Sequence, residues 1–404
     1  MSETYDELSF TQEVDASPDD VFYAFTTAQG WRNWMCDSAR FEARPGGSYQ
    51  LAWNNGWYAS GTVREVARPE KVALTWFGMG DPGPTDVTIK LKAKGGKTLV
   101  ELSHSGFGQK GDWVETREEA IKGWKLGLEN LKSIFSTGED LREIRRPLLG
   151  ITVSDFNAQI AKELNVPVTK GVRVDQPIEG MGADAAGMQS NDVVVEMAGV
   201  PITGFASISE ARLGKHAGDV VNVVFYRGPE KHEVEMALSS QPFAEVPLDP
   251  VALAERIRAI DAEVMAELRA LFDGVSEAEA DYNPAPEAWS AKETLAHLIV
   301  GEMGGQVGIT SLINDNEPEY GENFANVRAR LQALVAVTPT IPELLDRLEK
   351  GKEETASLIE RASALRARKG VLWGLGQGYL QLPGVHERTH MDQIRAAIEA
   401  AREG

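Results

Sequence analysis

The sequence predicts a multidomain chain in which an α+β part, a mainly β part and an all-α part follow one another. Its 404 residues exceed what one ordinary hydrophobic core organises. Apolar residues alternate in the period of strands through about the first 105 positions, and short strands with Gly-rich turns continue to about 242. Beyond about 248 the alternation stops and apolar residues recur three and four apart, as on amphipathic helices.

A net charge of -20 and a pI near 4.8, with no long Lys/Arg cluster, exclude nucleic acid or an anionic membrane as the main partner. The opening Met1-Ser2-Glu3-Thr4-Tyr5-Asp6-Glu7 lacks the basic and apolar regions of a signal peptide. No later stretch approaches ~18 uninterrupted apolar residues, so a cytoplasmic protein without a membrane span is expected. Cys36 is the single cysteine, which rules out an internal disulfide and a thiolate metal cluster within one chain. A small packing residue is the expected role.

In the first segment, residues 1–140, strands are expected around Leu8 and Phe10, Tyr49 to Trp53, Val72 to Trp76, Val87 to Leu91 and Leu99 to Leu102. Gly46-Gly47, Asn55-Gly56 and Gly95-Gly96 mark turns in a mostly antiparallel sheet. Ser17-Pro18-Asp19-Asp20 opens a helix, with a Ser cap, Pro in the first turn and acidic residues next to it. A longer helix is expected over Thr116 to Phe135, where Ile121, Trp124, Leu128, Leu131 and Ile134 form one stripe. Seven of the nine tryptophans lie in this segment, so large rings line the space between sheet and helix. They make either a bulky core or an apolar ligand pocket, for which Trp53, Trp76 and Trp124 are the candidate lining.

The order Ala16-Ser17-Pro18-x-x-Val21-Phe22, Arg44-Pro45-Gly46-Gly47-Ser48-Tyr49, Asn55-Gly56, Gly61-Thr62-Val63, Pro69-Glu70-Lys71-Val72, His104-x-Gly106 and Gly123-Trp124-x-x-x-Leu128 resembles the SRPBCC (START-like) superfamily. Within it, the similarity is to the branch named after the activator of the heat-shock ninety chaperone ATPase. The resemblance implies a helix-grip fold around a small hydrophobic ligand and does not imply an enzyme. His104 is expected as a strand-end histidine satisfied by hydrogen bonds.

The middle segment, residues 145–242, shows strands at Leu149 to Val153, Gly171 to Val174, Asp192 to Met197, Val220 to Tyr226 and Glu233 to Leu238, with a helix expected at Ser207 to Lys215. The run from Gly182 to Ile202 resembles the most recognisable part of a PDZ domain of the kind found in bacterial proteases, a β-sandwich or partly open barrel. Pro147-Leu148-Leu149-Gly150-Ile151 resembles that family's carboxylate-binding loop and following strand. Asn191 stands where Gly is usual; Asn tolerates the left-handed backbone such a turn needs. The resemblance implies that backbone N–H groups around Leu149, Gly150 and Ile151 hold the C-terminal carboxylate of a protein partner. We expect Ile208, Ala211 and Arg212 to line the groove and Leu148, Ile151 and Ile208 to favour apolar C-termini; a spacer without a ligand is the alternative. No Gly-x-Ser-x-Gly or serine-protease constellation accompanies it.

After the Pro-rich stretch Gln241 to Pro250, residues 248–404 predict a four-helix bundle. Asp249-Pro250 starts the first helix, Ser290-Ala291-Lys292-Glu293 the second and Thr340-Ile341-Pro342-Glu343 another, and the last follows Gly384. Trp373-Gly374-Leu375-Gly376-Gln377-Gly378-Tyr379 reads as a Gly-rich connector, with a loop that shapes the pocket entrance before the ligand helix as the alternative. On a helix, His386 and His390 lie four apart on one face, with Glu387, Arg388, Asp392 and Arg395 on the other. That spacing alone is weak, and a third ligand has to come from elsewhere. Trp289-Ser290 to His297, with His386-x-x-x-His390-x-x-Gln393-Ile394, is similar to the DinB superfamily, which includes thiol-dependent S-transferases and isomerases. The resemblance implies a divalent metal, Zn or Ni, on His297, His386 and His390, with Gln393 supporting them and a low-molecular-weight thiol as co-substrate.

Three functions stay open on this reading. One is a metal-dependent thiol transferase, with no catalytic side chain identified. Another is a non-catalytic adaptor for a small apolar ligand and protein C-termini, and the last a modulator of a chaperone ATPase.

Overall fold

A computed structural model of the chain describes residues 7–316 and 324–403; Met1 to Asp6, read above for a leader, lie outside them. The chain divides into two compact units, one made of Met1–Asp140 with Ala244–Gly404 and the other of Leu141–Phe243.

In the first unit the N-terminal segment runs β1 (Leu8–Val14), α1 (Pro18–Thr26), α2 (Ala28–Trp34), β2 (Ser38–Phe41), β3 (Ser48–Ala52), β4 (Tyr58–Ala67), β5 (Lys71–Gly78), β6 (Thr85–Lys94), β7 (Lys97–Ser105) and α3 (Trp113–Thr137). The strands form one seven-stranded sheet in the order β1-β7-β6-β5-β4-β3-β2. Every neighbouring pair is antiparallel. Period-two alternation buries Val87, Ile89 and Leu91 of β6, and α3 lays Trp124, Leu128, Leu131 and Ile134 into the same core. Gly95 and Gly96, at φ 59° and 83°, supply the left-handed pair that closes the β6/β7 hairpin. Ser17 Oγ accepts from the Asp20 N–H, which starts α1 at Pro18.

The second unit contains α4 (Leu141–Ile144), β8 (Ile151–Ser154), α5 (Ala158–Glu163), β9 (Val172–Pro177), α6 (Gly182–Ala185), β10 (Val193–Met197), β11 (Val200–Pro201), α7 (Phe205–Ala211), β12 (Val220–Arg227) and β13 (Glu230–Ala237). Its sheet has the order β13-β12-β10-β9-β8, with β11 on β10, so β8 is an edge. Asn191 takes the left-handed conformation, φ 71°. The helix expected over Ser207 to Lys215 lies instead at Phe205–Ala211. Ser207 Oγ accepts from the Thr203 and Gly204 N–H groups, so this serine sits inside the first turn rather than before it. Left-handed Gly214 lies beyond the helix's end.

The C-terminal segment of the first unit is helical: α8 (Pro250–Leu271), α9 (Glu277–Asp281), α10 (Ala291–Ile313), α11 (Arg328–Val337), α12 (Ile341–Arg361), α13 (Lys369–Leu382) and α14 (Arg388–Glu403). Helices α8, α10, α12 and α14 pack as the bundle, in which α12 meets α8 and α10, and α14 meets α10 and α8. The starts at Asp249, Ser290 and Thr340 are side-chain caps, the last two with reciprocal bonds from Glu293 and Glu343. The Gly-rich run Trp373 to Tyr379 is not a connector but part of α13. Glycine is a poor helix former, yet here its missing side chain is what packing needs: a Cβ on Gly376 would stand 2.2 Å from a Val246 methyl. Between α13 and α14, Pro383–Glu387 forms a wide π-helical turn, so the helix continues through it without a break.

Candidate metal centre

Three imidazoles meet at one point in the bundle. Helix α10 carries His297 and is fixed at its start, where the Glu293 carboxylate accepts from the Ser290 N–H, Asn283, Arg328 and Gln332. His386 belongs to the wide turn, and His390 stands on α14, which is seated by buried Met391, Ile394, Ala397 and Ile398. His386 Nε2 lies 3.4 Å from His297 Nε2 and 3.2 Å from His390 Nε2. Two nitrogens bound to one tetrahedral zinc at about 2.05 Å stand about 3.3 Å apart, so these separations fit a common cation.

The other ring nitrogens determine which atoms face the centre. His297 Nδ1 lies 3.1 Å from the Ala325 carbonyl, and His390 Nδ1 lies 3.0 Å from Gln393 Oε1. Each acceptor calls for a proton on Nδ1, which leaves the Nε2 lone pair toward the centre. Burial lowers the pKa of both His297 and His390, which keeps them neutral and available as ligands near pH 7. The Trp289 ring closes one side, its centroid 5.0 Å from that of His297. Among the described residues, these three histidines form the one group of three or more metal-capable side chains that converges.

Glu387 departs from the expected outward face: it is 4% exposed. Its Oε1 lies 3.4 Å from Lys352 Nζ, which also meets Asp261 Oδ1 at 2.8 Å and Glu302 Oε1 at 3.1 Å. Burial alone would lower the lysine's pKa, but the three carboxylates outweigh it and hold the ammonium charged. Sequence reasoning missed this cluster, although Lys352 follows Leu348 by four residues on an apolar stripe. Beside His386, a cavity of about 280 Å³ is lined by Gly301, Gly305, Lys352, Gly378 and Tyr379. A Cβ on Gly305 would approach the Tyr379 hydroxyl to 2.3 Å, so a larger residue there would displace the end of that side chain.

In the second unit, Leu148 pairs with Ser239 through reciprocal backbone bonds of 2.8 Å, and Gly150 is left-handed at φ 78°. The Leu149 and Gly150 carbonyls accept from Ala183 and Ile178, whereas their own N–H groups donate to no described residue. Arg212 Nη1 donates to the Pro147 carbonyl at 3.1 Å and braces this loop. Ile208 and Ala211 are buried in the core with Leu149, and Ile151 packs half-buried beside them. Strand β8, which begins at Ile151, has an open edge with Val153 43% exposed.

The aromatic wall of the first segment is continuous. Trp76 and Trp124 have ring centroids 5.1 Å apart, Trp57 and Trp76 6.5 Å, and Trp53 and Trp57 4.8 Å. Trp76 and Trp124 are buried, and Trp53 is partly so. His104 is buried against them, with Nε2 2.7 Å from Thr85 Oγ1 and Nδ1 accepting from Trp124 Nε1 at 3.1 Å.

Residues 15–136 match the family described as activator of Hsp90 ATPase homolog 1-like protein, residues 147–238 the PDZ domain, and residues 261–394 the DinB superfamily. The chain therefore carries these three modules. Curated relatives include the periplasmic pH-dependent serine endoprotease DegQ of Escherichia coli, 32% identical over 101 residues, or 25% of this chain and 22% of that protein. The periplasmic serine endoprotease DegP of the same organism is 28% identical over 130 residues, 31% of this chain and 26% of that protein. The chain thus spans less than a third of the length of either protease. Similar solved structures include the Aha1 dimer from Colwellia psychrerythraea, at 19% identity and TM-score 0.30, covering 33% of this chain and 99% of that one. Another is an Hsp90 activator from Plasmodium falciparum, at 24% identity and TM-score 0.28, covering 32% of this chain and 94% of that one. Among the described residues, no helix is long and apolar enough to cross a membrane.

Proposed function

We propose that this three-module chain is a divalent-metal protein whose DinB-like bundle carries out a thiol-dependent S-transfer or isomerisation, with His297, His386 and His390 as ligands and Gln393 as the support of His390. The observation that supports it most is the pair of Nε2 separations, 3.2 and 3.4 Å, together with Nδ1 acceptors that turn two lone pairs inward. Zn or Ni suits three neutral imidazoles. A bound ion of this kind supplies a depressed thiol pKa, so that a low-molecular-weight thiol reacts as thiolate near neutrality. The chain's part is to orient the rings, to keep those of His297 and His390 neutral by burial, and to leave the Gly-lined cavity beside His386 for a co-substrate. Elemental analysis of the purified protein, followed by turnover with several thiols, tests the proposal. About one Zn or Ni per chain is expected, lost in His390→Ala; no stoichiometric metal, or unchanged content in that variant, refutes it.

A second reading has its own support. The open edge of β8 and the undonated N–H groups of Leu149 and Gly150 suit a protein C-terminus added as a strand, with Leu148, Ile151, Ile208, Ala211 and Arg212 around it. Failure to retain any peptide on an array of apolar C-termini would remove that support. The first module is proposed to admit a small apolar ligand against Trp53, Trp76 and Trp124, which requires the Trp76 and Trp124 rings to separate. Modulation of a chaperone ATPase rests on the family match alone and ranks below these readings. We place the module boundaries at 1–140, 145–242 and 248–404 and the protein in the cytoplasm, which cell fractionation checks.

A further inference from the structure

Two of the three imidazoles at the centre already have an acceptor on Nδ1; among the described residues, His386 has none within hydrogen-bond distance. The nearest carboxylate oxygen to its Nδ1 is Glu387 Oε2, 3.8 Å away. That oxygen is buried and accepts no hydrogen bond from a described residue, whereas the other oxygen of the same carboxylate faces Lys352. Neighbouring side chains on an ordinary α-helix diverge and do not meet. Here the wide turn at Pro383–Glu387 carries both residues. Of the three carboxylates on Lys352, Glu387 makes the longest contact, 3.4 Å against 2.8 and 3.1 Å.

We infer that Glu387 is the positioning residue of His386: when a cation occupies the three Nε2 atoms, Glu387 Oε2 accepts from His386 Nδ1–H, and the carboxylate couples that ring to the Lys352 cluster. The inference rests on the metal reading above. Closing 3.8 Å to a charge-assisted bond of about 2.8 Å asks for a movement of about 1 Å. Coordination through Nε2 draws electron density from the ring and strengthens its remaining N–H as a donor. The bond would satisfy the buried carboxylate oxygen and hold the third imidazole as firmly as Ala325 and Gln393 hold the others.

The test uses the full chain, stripped with a chelator and titrated with Zn(II) in competition with a chromophoric chelator. The Co(II)-loaded absorption spectrum gives a second readout, independent of any activity. Glu387→Ala should weaken Zn(II) affinity roughly 10- to 100-fold and shift the Co(II) bands. Glu387→Gln, whose amide oxygen still accepts from Nδ1–H, should lose less than about tenfold. Asp261→Asn perturbs the same lysine without touching His386 and should stay within about twofold, with an unshifted spectrum. Should Glu387→Ala fail to fold, Glu387→Asp keeps the charge, shortens the reach and carries the same expected loss. A wild-type affinity in Glu387→Ala, or an equal loss in Asp261→Asn, overturns the inference while leaving the metal reading intact. A wild-type protein that takes up no metal sinks both.

Discussion

Acidifying the protein from about pH 7.5 to about pH 5 should weaken the first segment through His104. Trp124 Nε1–H can only donate, so His104 Nδ1 must be unprotonated, and Nε2–H donates to Thr85 Oγ1. Protonating Nδ1 would break the tryptophan bond and place a charge in a core where the residue is 1% exposed. Burial accordingly pushes its pKa from 6.5 down to about 3. Because the folded value lies below the unfolded one, the unfolded chain takes up the proton first as pH falls. The stabilisation is complete above the unfolded value of 6.5 and declines until the folded value of about 3 is passed. At about 1.4 kcal/mol per pH unit, roughly 2 kcal/mol is lost by about pH 5. Urea denaturation followed by tryptophan fluorescence, in wild type and His104→Leu, isolates this contribution, since seven of the nine tryptophans report from this segment. The leucine variant carries a penalty at both pH values, but its stability should fall by about 2 kcal/mol less between them. Equal falls in the two proteins would refute the reasoning.

The second unit offers two further tests. In Gly150→Ala, a Cβ would lie 2.3 Å from that of Met181 on a backbone at φ 78°. The variant should lose roughly 1 to 3 kcal/mol in urea and fail to retain C-terminal peptides; unchanged unfolding would show that the loop relaxes freely. Asp192 is fully buried, and its two oxygens accept from Arg227 Nε and Nη2, each at 2.8 Å. Arg227→Met should therefore cost roughly 1 to 3 kcal/mol by denaturant titration, and adding Asp192→Asn should recover part of it.

What could be read from the residues was what their near neighbours decide. Ser17, Asp249, Ser290 and Thr340 each meet N–H groups two or three positions ahead, and each start stands where it was expected. Alternation along β6 likewise needs only its own residues. Trp373 to Tyr379 was misread because three glycines in seven residues argue locally against a helix, whereas one of them, Gly376, makes room for Val246, more than a hundred residues away. The spacing of His386 and His390 suggested a pair, whereas His297 came from the resemblance. Glu387 looked exposed because nothing beside it in sequence announces Lys352 or the wide turn. Short β2 and Gly-containing β4 also went unassigned, since four residues or a mid-strand glycine give too little alternation to recognise.

The wide turn at Pro383–Glu387 also constrains how this chain can vary. Residues from Lys369 to Glu403 form one uninterrupted helical rod whose two halves seat different faces, Val371 and Leu372 before the turn and Met391 and Ile394 after it. One residue of an α-helix is worth about 100° of rotation, so the turn acts as a phase adjuster between those faces. Exchanging the exposed Val385 for another residue leaves that adjustment intact, whereas deleting it would swing one half out of its seat and carry His386 or His390 with it. At this point the chain tolerates a change of letter far better than a change of count.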